Sequence, residues 1–64
     1  MDRHEQWQVM SNRGDTYGIY YATSDLNALD QWATEKHGCS WSALVRRMPD
    51  LFAGYHSRDH RVVI

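Results

Sequence analysis

Two histidines have a spacing that could bind a metal. His56 and His60 are four residues apart, and this spacing puts two ligands on one face of a helix. Arg58 lies between them and would oppose a cation, while the residues around them favour a turn or a strand. No further cysteine or carboxylate pair completes a tetrahedral set. We therefore expect no bound metal and no cofactor.

The single cysteine, Cys39, follows His37 by two positions. A thiol beside an imidazole is the minimum for cysteine nucleophilic catalysis, but neighbours in a turn rarely reach the required geometry. A chain of 64 residues also leaves little material for a walled pocket with an oxyanion site. We predict that the protein is not an enzyme. A lone cysteine cannot form an internal disulfide, which fits a reducing compartment.

The tripeptide Arg13-Gly14-Asp15 matches the integrin-binding motif. Its glycine and the preceding Asn12 are also what a tight turn between two strands requires. Because the cysteine usage indicates an intracellular protein, we interpret these residues as part of a hairpin and not as an adhesion site.

Aromatic and basic side chains indicate a possible nucleic-acid site. The candidates for base stacking and for phosphate contact are Trp7, Tyr17, Tyr20 and Tyr21, and Arg13, Arg46, Arg47, Arg58 and Arg61. A net charge of −1 argues against direct nucleic-acid binding, and the sequence lacks a basic run or an RNP-like motif. A small nucleic-acid-binding or transcriptional accessory module is therefore the alternative function. A structural subunit whose exposed helix or sheet edge pairs with itself or with another chain is a third interpretation.

Acidic residues are concentrated in one part of the chain. Residues 14–37 have a local charge of −3 and residues 38–64 one of +2. Carboxylates on a helix and a turn can occupy a phosphate-binding groove of a partner protein, as in a nucleic-acid mimic. The residues predicted to contact that partner are Asp15, Asp25, Asp30 and Glu35. Five-residue steps turn a helix by about 140°, so the helical carboxylates spiral, and an ordinary solvated face is the other interpretation.

Composition predicts one small domain, residues 1–64. Apolar residues make up 42 % of the chain and charged residues 23 %, which is typical of a globular protein. No apolar run approaches the ~20 residues of a membrane span, and the first residues are too polar for a secretory signal. We expect a soluble protein of the cytoplasm with no membrane partner.

Hydrophobic periodicity predicts three strands. Alternation around Trp7 and Val9 favours a strand from about Glu5 to Ser11, and Thr16–Ala22 reads as a second strand. The second strand carries aromatic bulk on both faces, so we expect it at the centre of the sheet. A third strand is predicted at Val62–Ile64, after a polar stretch, residues 56–59.

Two helices are predicted between the strands. Ser24 and Gly38 are suitable caps for a helix over Asp25–His37, and Ser40 and Pro49 bound a second helix. The predicted buried stripes are Leu26, Leu29, Trp32 and Ala33 on the first helix and Trp41, Leu44, Val45 and Met48 on the second, with Leu51 and Phe52 as further core residues. The predicted fold is α+β: a small antiparallel three-stranded sheet with two helices, in the order β-β-α-α-β.

The stretch Tyr17–Ser24, running into Ala28-Leu29 and Trp32-Ala33, is similar to very small accessory proteins of bacteriophages and mobile elements. From Trp7 to Met48 the element order resembles anti-CRISPR inhibitors of type I interference complexes. The resemblance implies a monomeric or weakly dimeric protein-binding inhibitor of the bacterial host cell's cytoplasm, which binds the DNA-recognising subunit and blocks DNA access. Acidic DNA mimics are usually more negative than −1, so the resemblance implies either a local acidic patch or a steric block.

Overall fold

The computed structural model describes residues 3–52 and 56–64. Within these residues the chain forms four strands, two α-helices and a short 3-10 helix, which are β1 Glu5–Met10, β2 Thr16–Ala22, α1 Asp25–His37, α2 Trp41–Arg47, the 3-10 helix Pro49–Phe52, β3 His56–Arg58 and β4 Arg61–Val63. The strands form one mixed sheet in the order β2-β1-β4-β3. The prediction of an α+β fold with two helices is confirmed.

The predicted three-stranded antiparallel sheet is wrong in two respects. β4 pairs with β1 in parallel, with Val9 opposite Val62, and the predicted polar stretch contains an additional strand, β3, antiparallel to β4. All three residues of β3 are exposed, so no apolar alternation indicates this strand in the sequence. The turn that follows uses Asp59 and His60 at positive φ without a glycine, which weakens the hairpin signal.

β2 lies at the edge of the sheet and not at its centre, contrary to the prediction. The central strands are β1 and β4, and their side chains Val9 and Val62 are fully buried. On β2, Tyr20 and Ala22 face the core, whereas Tyr21 on the opposite face is 67 % exposed. Although β2 carries aromatic residues on both faces, only one of its faces is buried.

The predicted caps position both helices. The Ser24 hydroxyl accepts a hydrogen bond from the Asn27 backbone N–H at 3.2 Å, and the Gly38 N–H donates to the Thr34 carbonyl at 3.1 Å with φ of 70°. Ser40 accepts from the Ala43 N–H in the same way at the start of α2. The bounds predicted for α1 are confirmed.

The core lies between the sheet and the helices. Its buried apolar side chains are Val9, Tyr20, Ala22, Ala28, Leu29, Trp32, Ala33, Trp41, Leu44 and Val62. Leu26 was predicted to be buried but is 56 % exposed, because it lies about 90° from the centre of the buried arc of α1 at 100° per residue. Met48, at the end of α2, is also exposed. The side chains of Leu51 and Phe52 lie outside the described part of the chain.

Tyr20 is a buried core residue with a titratable hydroxyl. Its ring lies over Gly18, where a Cβ would come within 2.7 Å of the Tyr20 hydroxyl oxygen. Among the described residues no group lies within hydrogen-bond geometry of this oxygen. Burial, and to a smaller extent the Glu35 carboxylate, raise the pKa of Tyr20.

A raised tyrosine pKa makes the free energy of unfolding fall in alkali. Above a pH of about 10 the unfolded chain releases the Tyr20 proton while the folded chain retains it. We expect the stability to fall with pH in that range, and to fall less steeply in Tyr20→Phe. Urea unfolding at pH 7, 9 and 10.5 measures the difference. The same pH dependence in both proteins would contradict the assignment.

Candidate functional site

The side of the sheet opposite the helices is not covered by any described residue. Register places ten side chains on it, which are Gln6, Gln8, Met10, Thr16, Ile19, Tyr21, His56, Arg58, Arg61 and Val63. Alternate residues, such as Val9 and Val62, point to the other side and are buried there. We call these ten residues the open face.

Two arginines lie side by side on the open face. Arg58 of β3 is directly opposite Arg61 of β4, and Arg61 is in turn beside Gln8 of β1. Ile19 of β2 is opposite Gln8, so these four residues form one row across all four strands. Paired Cβ atoms on adjacent antiparallel strands are about 5 Å apart. The two arginines therefore occupy neighbouring positions on adjacent strands.

None of the ten residues of the open face is acidic, but Glu5 and Asp59 lie at its margin. Asp59, in the turn after β3, approaches the Arg58 Nε at 3.7 Å, but both side chains are more than 80 % exposed, and ion pairs of this kind contribute little. Glu5 contacts His60 instead. With Asp59 counted, the two arginines still leave the β3 and β4 half of the open face with an excess of positive charge, although the chain as a whole has a net charge of −1.

Contacts of the β3–β4 turn fix the position of the arginines. The His60 carbonyl accepts from the Gln8 N–H at 2.9 Å, and the His60 ring packs on Trp7 with 4.7 Å between ring centroids. The His60 side chain also contacts the Glu5 carboxylate. These contacts hold the short β3–β4 hairpin against β1 and thereby fix the position of β4, the strand that carries Arg61.

Two shallow depressions flank Arg61 on the open face. One, of about 360 Å³, is lined by residues that include Gln6, Gln8 and Ile19. The other, of about 240 Å³, is lined by residues that include Met10, His56 and Arg58. Arg61 and Asp59 line both depressions, and Glu5 lines the larger one, so a ligand in either depression lies beside a positive and a negative side chain.

Of the predicted stacking residues, only Tyr21 lies on the open face. Tyr20 is buried, Trp7 packs against the core, and Tyr17 stacks on Trp32 of α1 with 5.6 Å between ring centroids. A register shift after Val9 accounts for Tyr17, because the irregularity breaks the alternation of β2. Among the predicted phosphate contacts, Arg58 and Arg61 are on the open face, and the others are Arg13 in the β1–β2 turn and Arg46 and Arg47 at the end of α2.

The four predicted acidic residues differ in the contacts that they make within the chain. Asp25 accepts from the Leu26 N–H at 2.7 Å and from the Ser57 hydroxyl at 2.9 Å. Asp30 accepts from the Trp41 N–H at 2.9 Å, at the start of α2. Glu35 lies about 15 Å along α1 from Asp25, beside Lys36, and Asp15 is in the β1–β2 turn. Asp25 and Asp30 thus accept hydrogen bonds within the chain, and Glu35 forms an exposed ion pair with Lys36.

The residues considered for metal binding and nucleophilic catalysis are separated. His56 lies on β3, whereas His60 lies in the turn against Trp7. His37 packs edge-on against Trp32 at 5.0 Å. Within residues 3–52 and 56–64, no three histidine, cysteine or acidic side chains form a group that could hold a metal.

No family model matches the chain, and no curated protein or solved structure matches it either. Neither of the helices in the described residues is long and apolar enough to cross a membrane. The function is therefore inferred from the geometry of this chain, in which the open face combines exposed apolar and aromatic side chains with two neighbouring arginines.

Proposed function

We propose that this chain is a non-enzymatic module that binds single-stranded nucleic acid on the open face. The observation that carries the proposal is the cross-strand pair of Arg58 and Arg61, beside which Asp59 is, of the described residues, the one acidic residue lining both depressions. The proposed binding residues are this pair, for phosphate, and Tyr21 with Gln6, for a base.

The arginine pair is unfavourable without a ligand. Like charges directly opposite each other on neighbouring strands destabilise a sheet, and the exposed contact between Arg58 and Asp59 offsets little of this repulsion. A phosphate between the guanidinium groups accepts charge-assisted hydrogen bonds from both and turns the repulsion into attraction. An anionic backbone is thus the ligand that the charges complement.

The β2 side of the open face suits a base. Tyr21 is 67 % exposed and Ile19 is 55 % exposed, so a tyrosine ring and an apolar side chain are available for stacking and packing. Gln6 is opposite Tyr21, and its amide can both donate to and accept from a base edge. Phosphate contacts and base contacts would therefore lie on opposite sides of β1.

A single strand fits this arrangement better than a duplex. An exposed tyrosine stacks on a base only when that base is unpaired, and sheet platforms that stack bases bind single strands. A duplex would offer the open face only its phosphates. Stacking on Tyr21 therefore predicts that single strands bind more tightly than duplexes, a preference that phosphate binding alone would not produce.

Fluorescence anisotropy with a labelled 12-nucleotide oligothymidine tests the proposal. We expect binding at low salt, weaker binding of a duplex of the same length, and a slope of about −1.4 for log K against log salt if two phosphates are neutralised. Absence of binding at low salt would contradict the proposal. Equal binding of the duplex would contradict the stacking role of Tyr21.

The protein-binding inhibitor predicted from the sequence is a second candidate function. Asp15, Asp30 and Glu35 are exposed, which favours it. In this proposal the chain, of phage or mobile-element origin, binds the DNA-recognising subunit of a type I CRISPR complex and blocks DNA access. A change at Asp25 or Asp30 would break a hydrogen bond to another element or to a helix start, whereas Glu35 forms an exposed ion pair with the neighbouring Lys36. The test therefore uses Asp15 and Glu35.

Charge reversal in the double variant Asp15→Lys, Glu35→Lys separates the two functions. An acidic inhibitor would lose its ability to block target-DNA binding by a purified type I complex. A nucleic-acid-binding module would keep or increase its affinity for oligothymidine, because the variant gains positive charge. Circular dichroism checks that the variant folds. The acidic mechanism is contradicted if the native chain does not inhibit, or if the variant inhibits equally.

A further inference from the structure

β2 has backbone N–H and C=O groups on its outer edge that do not bond to β1. The Gln8 N–H donates to His60 and the Met10 carbonyl accepts from Ile64, so alternate residues of β1 direct their backbone groups to β4. The residues between them, Trp7 and Val9, therefore bond to β2, where they pair with Tyr20 and Gly18. It follows that the N–H and C=O groups of Ile19 and Tyr21 point outward.

One outward group of this edge is already bonded. The Gln31 amide of α1 donates to the Tyr21 carbonyl at 2.7 Å, which independently places that carbonyl on the outside. No backbone or side-chain hydrogen bond to Ile19 occurs across this edge among the described residues. A carbonyl has two lone pairs, so the Tyr21 carbonyl can still accept a second hydrogen bond.

The two edges of the sheet differ in their protection. The β3 edge is three residues long and carries His56 and Arg58, and short charged strands discourage pairing with another chain. The β2 edge is seven residues long, from Thr16 to Ala22, and none of its side chains is charged. Apart from the register shift at its start and the contact with Gln31, the described residues do not block it.

We propose that β2 pairs antiparallel with β2 of a second copy of this chain, centred on Ile19. An antiparallel pair centred on one residue is self-complementary, so Ile19 lies opposite Ile19 of the second copy and Gly18 opposite its Tyr20, while Tyr17 lies at the register shift, outside the regular pairing. An uncharged strand carrying a 55 % exposed isoleucine complements itself without repulsion. This inference does not depend on the ligand of the open face.

Self-pairing would make one continuous sheet of eight strands. Paired residues of antiparallel strands share a face, so the open faces of the two copies would lie on the same side. An edge contact of this length buries less than the 1,200 Å² or so that stable interfaces begin at. The dimer is therefore expected to be weak and to depend on concentration.

Light scattering after size exclusion, from about 10 μM to 1 mM, tests self-pairing. We expect the mass to rise from 7.5 kDa towards twice that value, and protection of the Ile19 amide from hydrogen exchange to rise with it. A foreign extended peptide as the occupant of this edge would leave the chain monomeric. A mass of 7.5 kDa at every concentration therefore overturns the proposal.

Two variants locate the contact. Ile19→Lys places a charge on the edge, and Ile19→Pro removes an N–H that the β1–β2 ladder does not use. Both are expected to stay monomeric throughout the range, whereas the control Leu26→Lys changes an equally exposed residue of α1 and should dimerise like the native chain. Circular dichroism checks that each variant folds. If Ile19→Pro unfolds, Ile19→Lys alone locates the contact. A dimer that survives Ile19→Lys would place the contact elsewhere.

Discussion

Replacing Arg58 and Arg61 together by glutamine is expected to weaken oligothymidine binding about 100-fold. Each charge-assisted hydrogen bond to a phosphate contributes about 1.5 kcal/mol, and 1.4 kcal/mol is a factor of ten. Loss of two phosphate contacts should also bring the salt slope from about −1.4 close to zero. Anisotropy titrations at three or more salt concentrations measure both effects.

The double variant Arg46→Gln, Arg47→Gln is the matched control. It makes the same change in net charge at the end of α2, away from the open face, and should reduce affinity only slightly through the long-range field. If both pairs weaken binding equally, the chain binds nucleic acid by general charge and the assignment to the open face is wrong. The single variant Tyr21→Ala should weaken binding without changing the salt slope, because stacking neutralises no phosphate.

Of the variants proposed for this chain, Leu29→Ala is expected to cause the largest loss of stability. Leu29 is fully buried between α1 and the sheet, and removing such a side chain lowers the free energy of unfolding by about 2–5 kcal/mol. A domain of this size has a total stability of about 3–10 kcal/mol. Urea unfolding followed by tryptophan fluorescence should therefore place the variant close to the limit of folding.

Leu26→Ala is the control on the same helix. Because Leu26 is 56 % exposed, its truncation should change the free energy of unfolding by no more than about 0.5 kcal/mol. A loss equal to that of Leu29→Ala would mean that α1 is rotated from the orientation described, with Leu26 in the core.

Sequence-based prediction was most accurate where structure depends on neighbouring residues. Ser24, Gly38 and Ser40 act through bonds within four positions, so the caps and the bounds of α1 follow from residue type. Leu26 and Leu29 show the limit of periodicity, since both fit an apolar arc and only the sheet beneath α1 decides which is buried.

The candidate site depends on pairings that residue types do not reveal. Arg58 and Arg61 become neighbours only because a turn at Asp59 and His60 folds β3 onto β4. The three residues of β3 are all exposed, so β3 shows no alternation of apolar and polar residues that would predict a strand. The Asp59 turn between two arginines was the signal available, since aspartate tolerates positive φ. Likewise, Tyr17 faces α1 because of a register shift, which alternation along β2 does not predict.

The parallel pairing of β1 with β4 has a consequence for folding kinetics. The β1–β2 hairpin closes through a short turn and can form within microseconds. Val9 and Val62, in contrast, come from distant parts of the chain, so joining them loses the entropy of a long loop before burial compensates for it. The arrival of the β3–β4 hairpin should therefore limit the rate. Until it arrives, β1 presents an unpaired inner edge, which makes the incomplete sheet the species most exposed to misassembly.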